Sequence, residues 1–479
     1  MKRKRVIVWF RQDLRLHDNE ALSHALSSAE EVIPVFVFDS RTFQGTTRFG
    51  FPKTGVHRAK FIIEAVQDLR QSLQAIGSDL YVRVGKPEDI LFELAREVKT
   101  SWIFCNRERT YEEIKVQDAL ERNLWSIGQE IIYSRGKMLY YTQDLPFPVT
   151  HTPDVFTAFR KEVERFVGVR EPFPSPKDGD FAPLTMELEM GQIPCLTEFG
   201  HSPTGSPTNA GMSFRGGETA GKERLHYYIW EGQHIQHYKD TRDELLGDNY
   251  SSKFSPWLAQ GCLSPKYVYR ELKKYESKNG ASKSTYGLFF ELLWRDFFRL
   301  MGKKHGNAIF KKGGIKGVAD PRLQNDRHLL NLWKDGRTGV PFIDANMREL
   351  KRTGYMSSRG RQNVASFLVK DLRVNWQMGA EYFESLLVDY DPCSNWGNWN
   401  YIAGVGSDPR DDRYFNILKQ AERYDPTGEY VKTWLPELQD IPAKRIHSIH
   451  LLSEDELSES QVRIGADYPR AMINVAKWE

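Results

Sequence analysis

VIVWF (Val6–Phe10) and VIPVFVF (Val32–Phe38) decide the fold class. Both runs are short, almost wholly apolar and rich in β-branched and aromatic residues. Strands covered on both faces read this way, and such strands belong to parallel sheets. Outward from them the chain alternates. His57–Ile76 has helical spacing, LYVRV (Leu80–Val84) is strand-like, Pro87 starts a helix, WIFCN (Trp102–Asn106) is a strand, a helix begins at Tyr111, and EIIY (Glu130–Tyr133) closes the series. Five strands separated by helices predict a doubly wound α/β domain over residues 1–135. No GxGxxG follows its first strand and no GxxxxGK[ST] occurs, so neither a Rossmann dinucleotide site nor a P-loop is supported. A ligand of this domain belongs in the crevice at the strand C-termini. Glu112 and Glu113 lie just past the Trp102–Asn106 strand and could face that crevice. Acids at a helix start also complement the helix dipole without any ligand.

From 136 to 220 periodicity fades into LPFPV, REPFPSPKDGDFAP and FGHSPTGSPTNAG, a surface connector broken by one helical piece, Thr157–Phe166. From 221 to 479 the chain reads as a large all-α domain. ERLHYYIWEGQHIQHY, YGLFFELLWRDFFRLMGKKHG and NVASFLVKDLRVNWQMGAEYFESLL carry apolar residues three and four apart.

Composition narrows the function. The net charge is only +3, so nucleic-acid affinity must come from a local patch. Aromatics are 13% of the chain, with twelve tryptophans, which suits stacking surfaces as well as packing. Cys105, Cys195, Cys262 and Cys393 are far apart, which argues against a zinc site or disulfide framework and for a reducing compartment. No apolar run approaches membrane-spanning length. MKRKR before VIVWF lacks a small-residue cleavage site; the KRKR can be a nuclear signal or a solvated basic terminus. A cytoplasmic protein is expected.

Four constellations in the helical half carry chemistry. LLVDYDPCSNWGNWNYIAGVGSDPRDDRYF (Leu386–Phe415) gathers Asp389, Asp391, Asn395, Trp396, Trp399 and Tyr401, which suit a planar cofactor with polar edges; capping acids in a turn are the alternative. Asn249–Pro265 clusters Ser251, Ser252 and Ser255 ahead of a helix, an anion cradle or ordinary N-capping. ELLWR puts Glu291, Trp294 and Arg295 on one helical face, as a stacking and hydrogen-bonding site or as a surface ion pair. SSRGRQ (Ser357–Gln362) offers Arg359 and Arg361 to a phosphate or to the acids of the first stretch, or to solvent.

Together WFRQDLRLHDN (Trp9–Asn19), KFSPWLAQGCLSP, ELLWRDFFRL, ASFLVKDLRVNW and DYDPCSNWGNW resemble the photolyase/cryptochrome family. RFGFPKTG, GYMSSRGRQNVASFL, GVGSDPRDDRYF and GEYVKTWLPEL resemble its cryptochrome DASH branch. The likeness runs from Val6 to about Leu438. It implies an N-terminal antenna domain and a C-terminal helical domain holding FAD. By that resemblance Tyr238 and the segment Ser251, Ser252, Lys253, Phe254, Ser255 would contact adenosine and diphosphate, and Glu291 and Arg295 the flavin side. Arg361 and Asp389 would be the ion pair beside the isoalloxazine, Asp391 a ribityl or ring contact, and Asn395 the uncharged amide opposite flavin N5. Trp399 and Trp376 would begin an electron-hopping chain. Trp294, Ser358, Arg359, Gln362 and Tyr401 would hold an extruded pyrimidine dimer, and Glu112 and Glu113 a methenyltetrahydrofolate antenna.

The implied activity is light-driven repair of cyclobutane pyrimidine dimers, preferentially in single-stranded DNA. The residues do not fix the oligomeric state, and a monomer is expected over an oligomer. The alternative is a blue-light photoreceptor with repair vestigial. Two positions depart from the family pattern. Ser358 stands where Asn is usual, and Leu323 where a third, surface tryptophan is expected.

Overall fold

The computed structural model describes residues 4–202, 211–408 and 414–478. Residues 2 and 3 of KRKR, residues 203–210 of the connector and residues 409–413 of GVGSDPRDDRYF lie outside the described residues. Five parallel strands form one sheet: β1 (Arg5–Phe10), β2 (Glu31–Asp39), β3 (Tyr81–Gly85), β4 (Trp102–Asn106) and β5 (Glu130–Ser134), in the order β3-β2-β1-β4-β5. Val6 is in register with Val32 on one side and Trp102 on the other. The unbroken apolar runs follow from double coverage. Val6, Val8 and Phe10 enter one core, while Ile7 and Trp9 enter another with Ile33, Val35 and Val37. The first of these cores continues without interruption into the helical half, through Tyr228, Trp257 and Leu288.

The connector does more than wrap a surface. The Val82 N–H donates to the Met190 carbonyl (2.7 Å), so the chain after the sheet covers the exposed edge of β3 and leaves it no template for another strand.

WFRQDLRLHDN joins the two halves. The buried Arg15 guanidinium donates to the carbonyls of His17, Asp18, Gly136 and Gly261. Asp18 pairs with Lys266 at 2.7 Å, both almost fully buried. Gly261, at φ +71°, lies so close to the Gln12 carbonyl that a Cβ there would sit 2.1 Å from it. A side chain would prise the halves apart.

In the helical half, four long helices position the site: Lys283–His305, Ser358–Ser366, Trp376–Leu386 and Pro392–Ala403. Two stretches that read as continuous helices are broken. Glu218–His226 passes into a π-helical turn at Tyr227–Glu231, and Ser358–Ser366 into another at Phe367–Asp371. Arg373 then adopts φ +56°, and the Asn375 side chain caps a new helix at Trp376 by accepting from the Gln377 N–H. Periodicity survives such a break because both pieces bury the same face. No helix among the described residues is long and apolar enough to cross a membrane.

Candidate functional site

A cavity of about 740 Å³ opens among these helices. It lies within the size range of cofactor and substrate pockets. Tyr238, Ser251, Ser252, Lys253, Phe254, Ser255, Glu291, Trp294, Arg295, Ser358, Arg359, Arg361, Gln362, Asp389, Asp391, Asn395, Trp399 and Tyr401 all line it. Segments more than 160 residues apart in sequence thus converge on one space.

At its base, Arg361 Nη2 meets Asp389 Oδ2 at 2.8 Å, and Ser255 Oγ donates to the same oxygen at 2.7 Å. Burial opposes the Arg361 charge, but Asp389 outweighs it and holds the guanidinium above its usual pKa. Asp389 Oδ1 is buried without a partner, as are the Tyr250 hydroxyl and Arg359 Nε. Orphaned buried groups cost about 1–3 kcal/mol each, so a wall that carries several is built for a polar guest.

Asp391 is held differently. It caps the Pro392–Ala403 helix by accepting from the Ser394 N–H (2.8 Å) and pairs with Arg299 at 3.0 Å. Arg299 also reaches Glu108 of the sheet domain, which is paired with Lys137 at the start of the connector. All four side chains are at most 4% exposed. Burial alone would raise the Glu108 carboxyl, but Lys137 and then Arg299 pull it down to about 2. Asp391 is likewise lowered, by Arg299 and Arg295 against burial. Sequence reasoning missed Arg299, although it repeats the helical face of Glu291 and Arg295 at i+8 and i+4.

The Ser251–Ser255 segment is pinned by another unforeseen residue. Arg224 donates to the carbonyls of Asp248, Ser251 and Ser252 and to Asn249 Oδ1. Lys253, at φ +53°, donates to the Gly247 carbonyl, and burial pushes its ammonium down to about 8. Glu291 is paired with Arg242, and Arg295 donates to the carbonyls of Lys137 and Leu258. The Asn395 Nδ2 donates to the Ala380 carbonyl (3.0 Å), which fixes the plane of its amide.

On the outer wall Trp294 stacks on Phe156 (3.7 Å between centroids, 6° between planes) and meets Tyr401 edge-on at 6.0 Å. Phe156 comes from the connector helix and carried no sequence signal. Arg359 bonds Gln362 and Asp243. Ser358 is exposed at the first turn of its helix.

The tryptophans split between wall and interior. Trp399 lines the cavity and touches Phe383 and Trp333; Gly379 lets its ring press against the Trp376–Leu386 helix, where a Cβ would sit 2.3 Å away. Trp376 is fully buried and packs edge-on to Trp396 at 5.7 Å. Leu323 precedes Gln324, whose N–H donates to the Arg373 carbonyl and whose carbonyl accepts from the Asn375 N–H, one residue before Trp376. At 4% exposure it reaches no surface.

Glu112 and Glu113 stand apart from this cavity. Glu113 completes a capping box with Thr110, and burial, then Glu108, raises its carboxyl pKa. Glu112 is exposed and pairs with Lys53 of the RFGFPKTG loop at 2.5 Å.

Comparison with known proteins agrees with this layout. The family described as DNA photolyase matches residues 6–177, and the FAD binding domain of DNA photolyase matches 288–479. A cryptochrome DASH of Synechocystis sp. is 47% identical over 98% of this chain and 95% of its own length. The chain belongs to the photolyase/cryptochrome family, in its cryptochrome DASH branch. A solved Synechocystis cryptochrome superposes with a TM-score of 0.96 at 46% identity, covering 100% of this chain and 98% of the other. An archaeal photolyase from Sulfolobus tokodaii, solved with two FAD molecules, gives 0.78 at 30% identity, covering 99% and 97%. The protein is therefore a flavoprotein, and the unpaired Asp389 and Tyr250 oxygens beside Arg361 fit FAD in the cavity.

Proposed function

We propose that this protein repairs cyclobutane pyrimidine dimers, preferentially in single-stranded DNA. The observation that carries the proposal is one cavity whose inner wall is ionic and amide, suited to FAD, and whose outer wall is a rigid aromatic pair. Bound reduced FAD supplies the light-driven electron. The protein's own groups do the rest. Arg361 and Asp389 hold the ring system's polar edge, Asp391 the ribityl side, and Asn395 offers an amide that gives up no proton. Tyr238, Lys253 and the serines take the adenosine and diphosphate. Trp294, braced by Phe156, gives a base a flat surface that cannot swing away, and Tyr401, Arg359, Gln362 and Ser358 frame it. Photolyases are a standing instance of enzymes that act on a base taken out of the stack. An unpaired base has already lost its partner, so a single strand is the easier substrate.

A second chromophore in the sheet-domain crevice is part of the reading, with methenyltetrahydrofolate as its identity. Glu112, exposed and paired with Lys53, is the acid that would meet it, since Glu113 is spent on its own helix. The Sulfolobus photolyase's second FAD is the competing identity, and the near-ultraviolet spectrum of extracted chromophore distinguishes them.

The test is illumination of reduced protein with dimer-containing oligonucleotides, single- and double-stranded. Repair confined largely to the single strand is expected. Equal repair of both removes the preference, and repair of neither turns the reading to a photoreceptor.

A further inference from the structure

Arg299 is shared between two acids from opposite halves of the molecule. Its Nη1 donates to Asp391 Oδ2 at 3.0 Å, and its Nη2 reaches Glu108 Oε2 at 3.4 Å. Glu108 follows β4, and its other oxygen takes the ammonium of Lys137, which also donates to Gln12 Oε1 at 3.1 Å. Base and acid thus alternate from Lys137 through Glu108 and Arg299 to Asp391. Of these side chains only Asp391 lines the cavity. The row is held rigid from outside. The Lys137 carbonyl accepts from Arg295 at 2.7 Å, and the Leu139 and Tyr140 N–H groups donate to Asp296, on the same helix as Arg295, at 3.0 and 2.9 Å.

We propose that Glu108 and Lys137 are positioning residues for the flavin, acting on it through Arg299 and Asp391 to set its reduction potential. This rests on the reading that FAD occupies the cavity.

Stability does not explain the row, because buried ion pairs are often no more stabilising than apolar residues of the same volume. Buried charges are, however, poorly screened, so a charge changed one or two side chains away is still felt at the cavity wall. Glu108 draws on the Arg299 guanidinium and leaves Asp391 more of its own negative charge toward the cavity. Lys137 draws on Glu108 and does the reverse. Reduction adds negative charge to a flavin, and charge near the ring tunes its electronics. Glu108 therefore opposes reduction, and Lys137 favours it.

The measurement is the midpoint potential of the bound flavin, by spectroelectrochemical titration of the FAD-loaded protein. The samples are wild type, Glu108→Gln, Lys137→Met and the double variant, each changing charge with little change in size. Flavin content, read from absorbance, confirms that each folds and binds. At one fixed applied potential, Glu108→Gln should raise the ratio of reduced to oxidised flavin several-fold, and Lys137→Met should lower it several-fold. The double variant should return close to wild type. So should Glu108→Asp, which shortens the side chain and keeps its charge. Shifts of the same sign in both single variants mark disturbed packing and overturn the inference, as do potentials that none of the substitutions moves. Where a single variant fails to fold, the double variant and Glu108→Asp decide, and a several-fold shift in either overturns the inference. A wild-type protein that takes up no flavin overturns the reading of the cavity as well.

Discussion

Glu112 and Glu113 open one helix, and Asp389 and Asp391 precede another, so both pairs match the same local pattern of acids at a positive helix end. Their surroundings differ. Glu113 has both partners of a capping box within its own helix start, and Glu112 is exposed and pairs with Lys53, 59 residues away in sequence. Asp389 and Asp391 are held by arginines 28 and 92 residues away in sequence, and Asp389 keeps one oxygen unpartnered. A carboxylate satisfied by its own turn is finished as a structural part. One fixed by remote cations with an oxygen to spare is poised for something that arrives later. Unspent hydrogen-bonding capacity in a buried wall separates the two cases where residue type cannot.

The largest effect is expected at Asp389. Asp389→Ala strips the half-buried Arg361 guanidinium and the Ser255 hydroxyl of their common acceptor. Breaking a fully buried pair costs on the order of 3–5 kcal/mol, and access of the cavity to Arg361 makes the cost here smaller. The purified variant should carry little FAD, and its urea midpoint should fall accordingly. Full flavin content at wild-type stability would erase the contrast between the two acid pairs.

Next comes the outer wall. Trp294→Ala removes one face of the stack with Phe156, and affinity for a damaged single strand should fall by about 1–3 kcal/mol, the range for one base stacked on an aromatic. Fluorescence anisotropy with damaged and undamaged oligonucleotides reads it. Trp294→Phe should recover most of the loss. An unchanged affinity would mean that the Trp294–Phe156 stack is packing and no more.

The smallest effect is expected at Glu113. Burial raises its folded-state pKa above the unfolded value, so its contribution to stability is present at low pH and is lost as pH rises through that folded value. Gln can also complete a capping box. Glu113→Gln should therefore match wild type at neutral pH to within about 1 kcal/mol and show a flatter dependence of unfolding midpoint on pH. A large loss at neutral pH would show that the carboxylate serves more than its own helix.

Much of this was legible in the residues. The apolar runs at Val6–Phe10 and Val32–Phe38 could be buried only between two covered faces, and the structure covers both. The long motifs named the walls of the cavity, because a family likeness fixes which residues matter. Arg299, Arg224 and Phe156 escaped notice, since each acts across a fold boundary that local spacing does not report. ELLWRDFFRL did contain the signal for Arg299, a third charged residue on the face of Glu291 and Arg295. Phe156 gave none, since a phenylalanine in a connector helix reads as packing.

The sequence by itself determined the class of each half, the family and the inventory of reactive groups. Periodicity, composition and motif order are local properties that survive in one dimension. Tertiary structure decided which groups are spent and which are free. Glu113 is closed by its own cap, while Asp389 is left with an open oxygen. Tertiary structure also set the Tyr390 hydroxyl against the Trp396 indole N–H, and buried Leu323. Hydrogen-bond saturation, burial and ring contact depend on distances between remote segments, and a chain acquires those distances only when it folds.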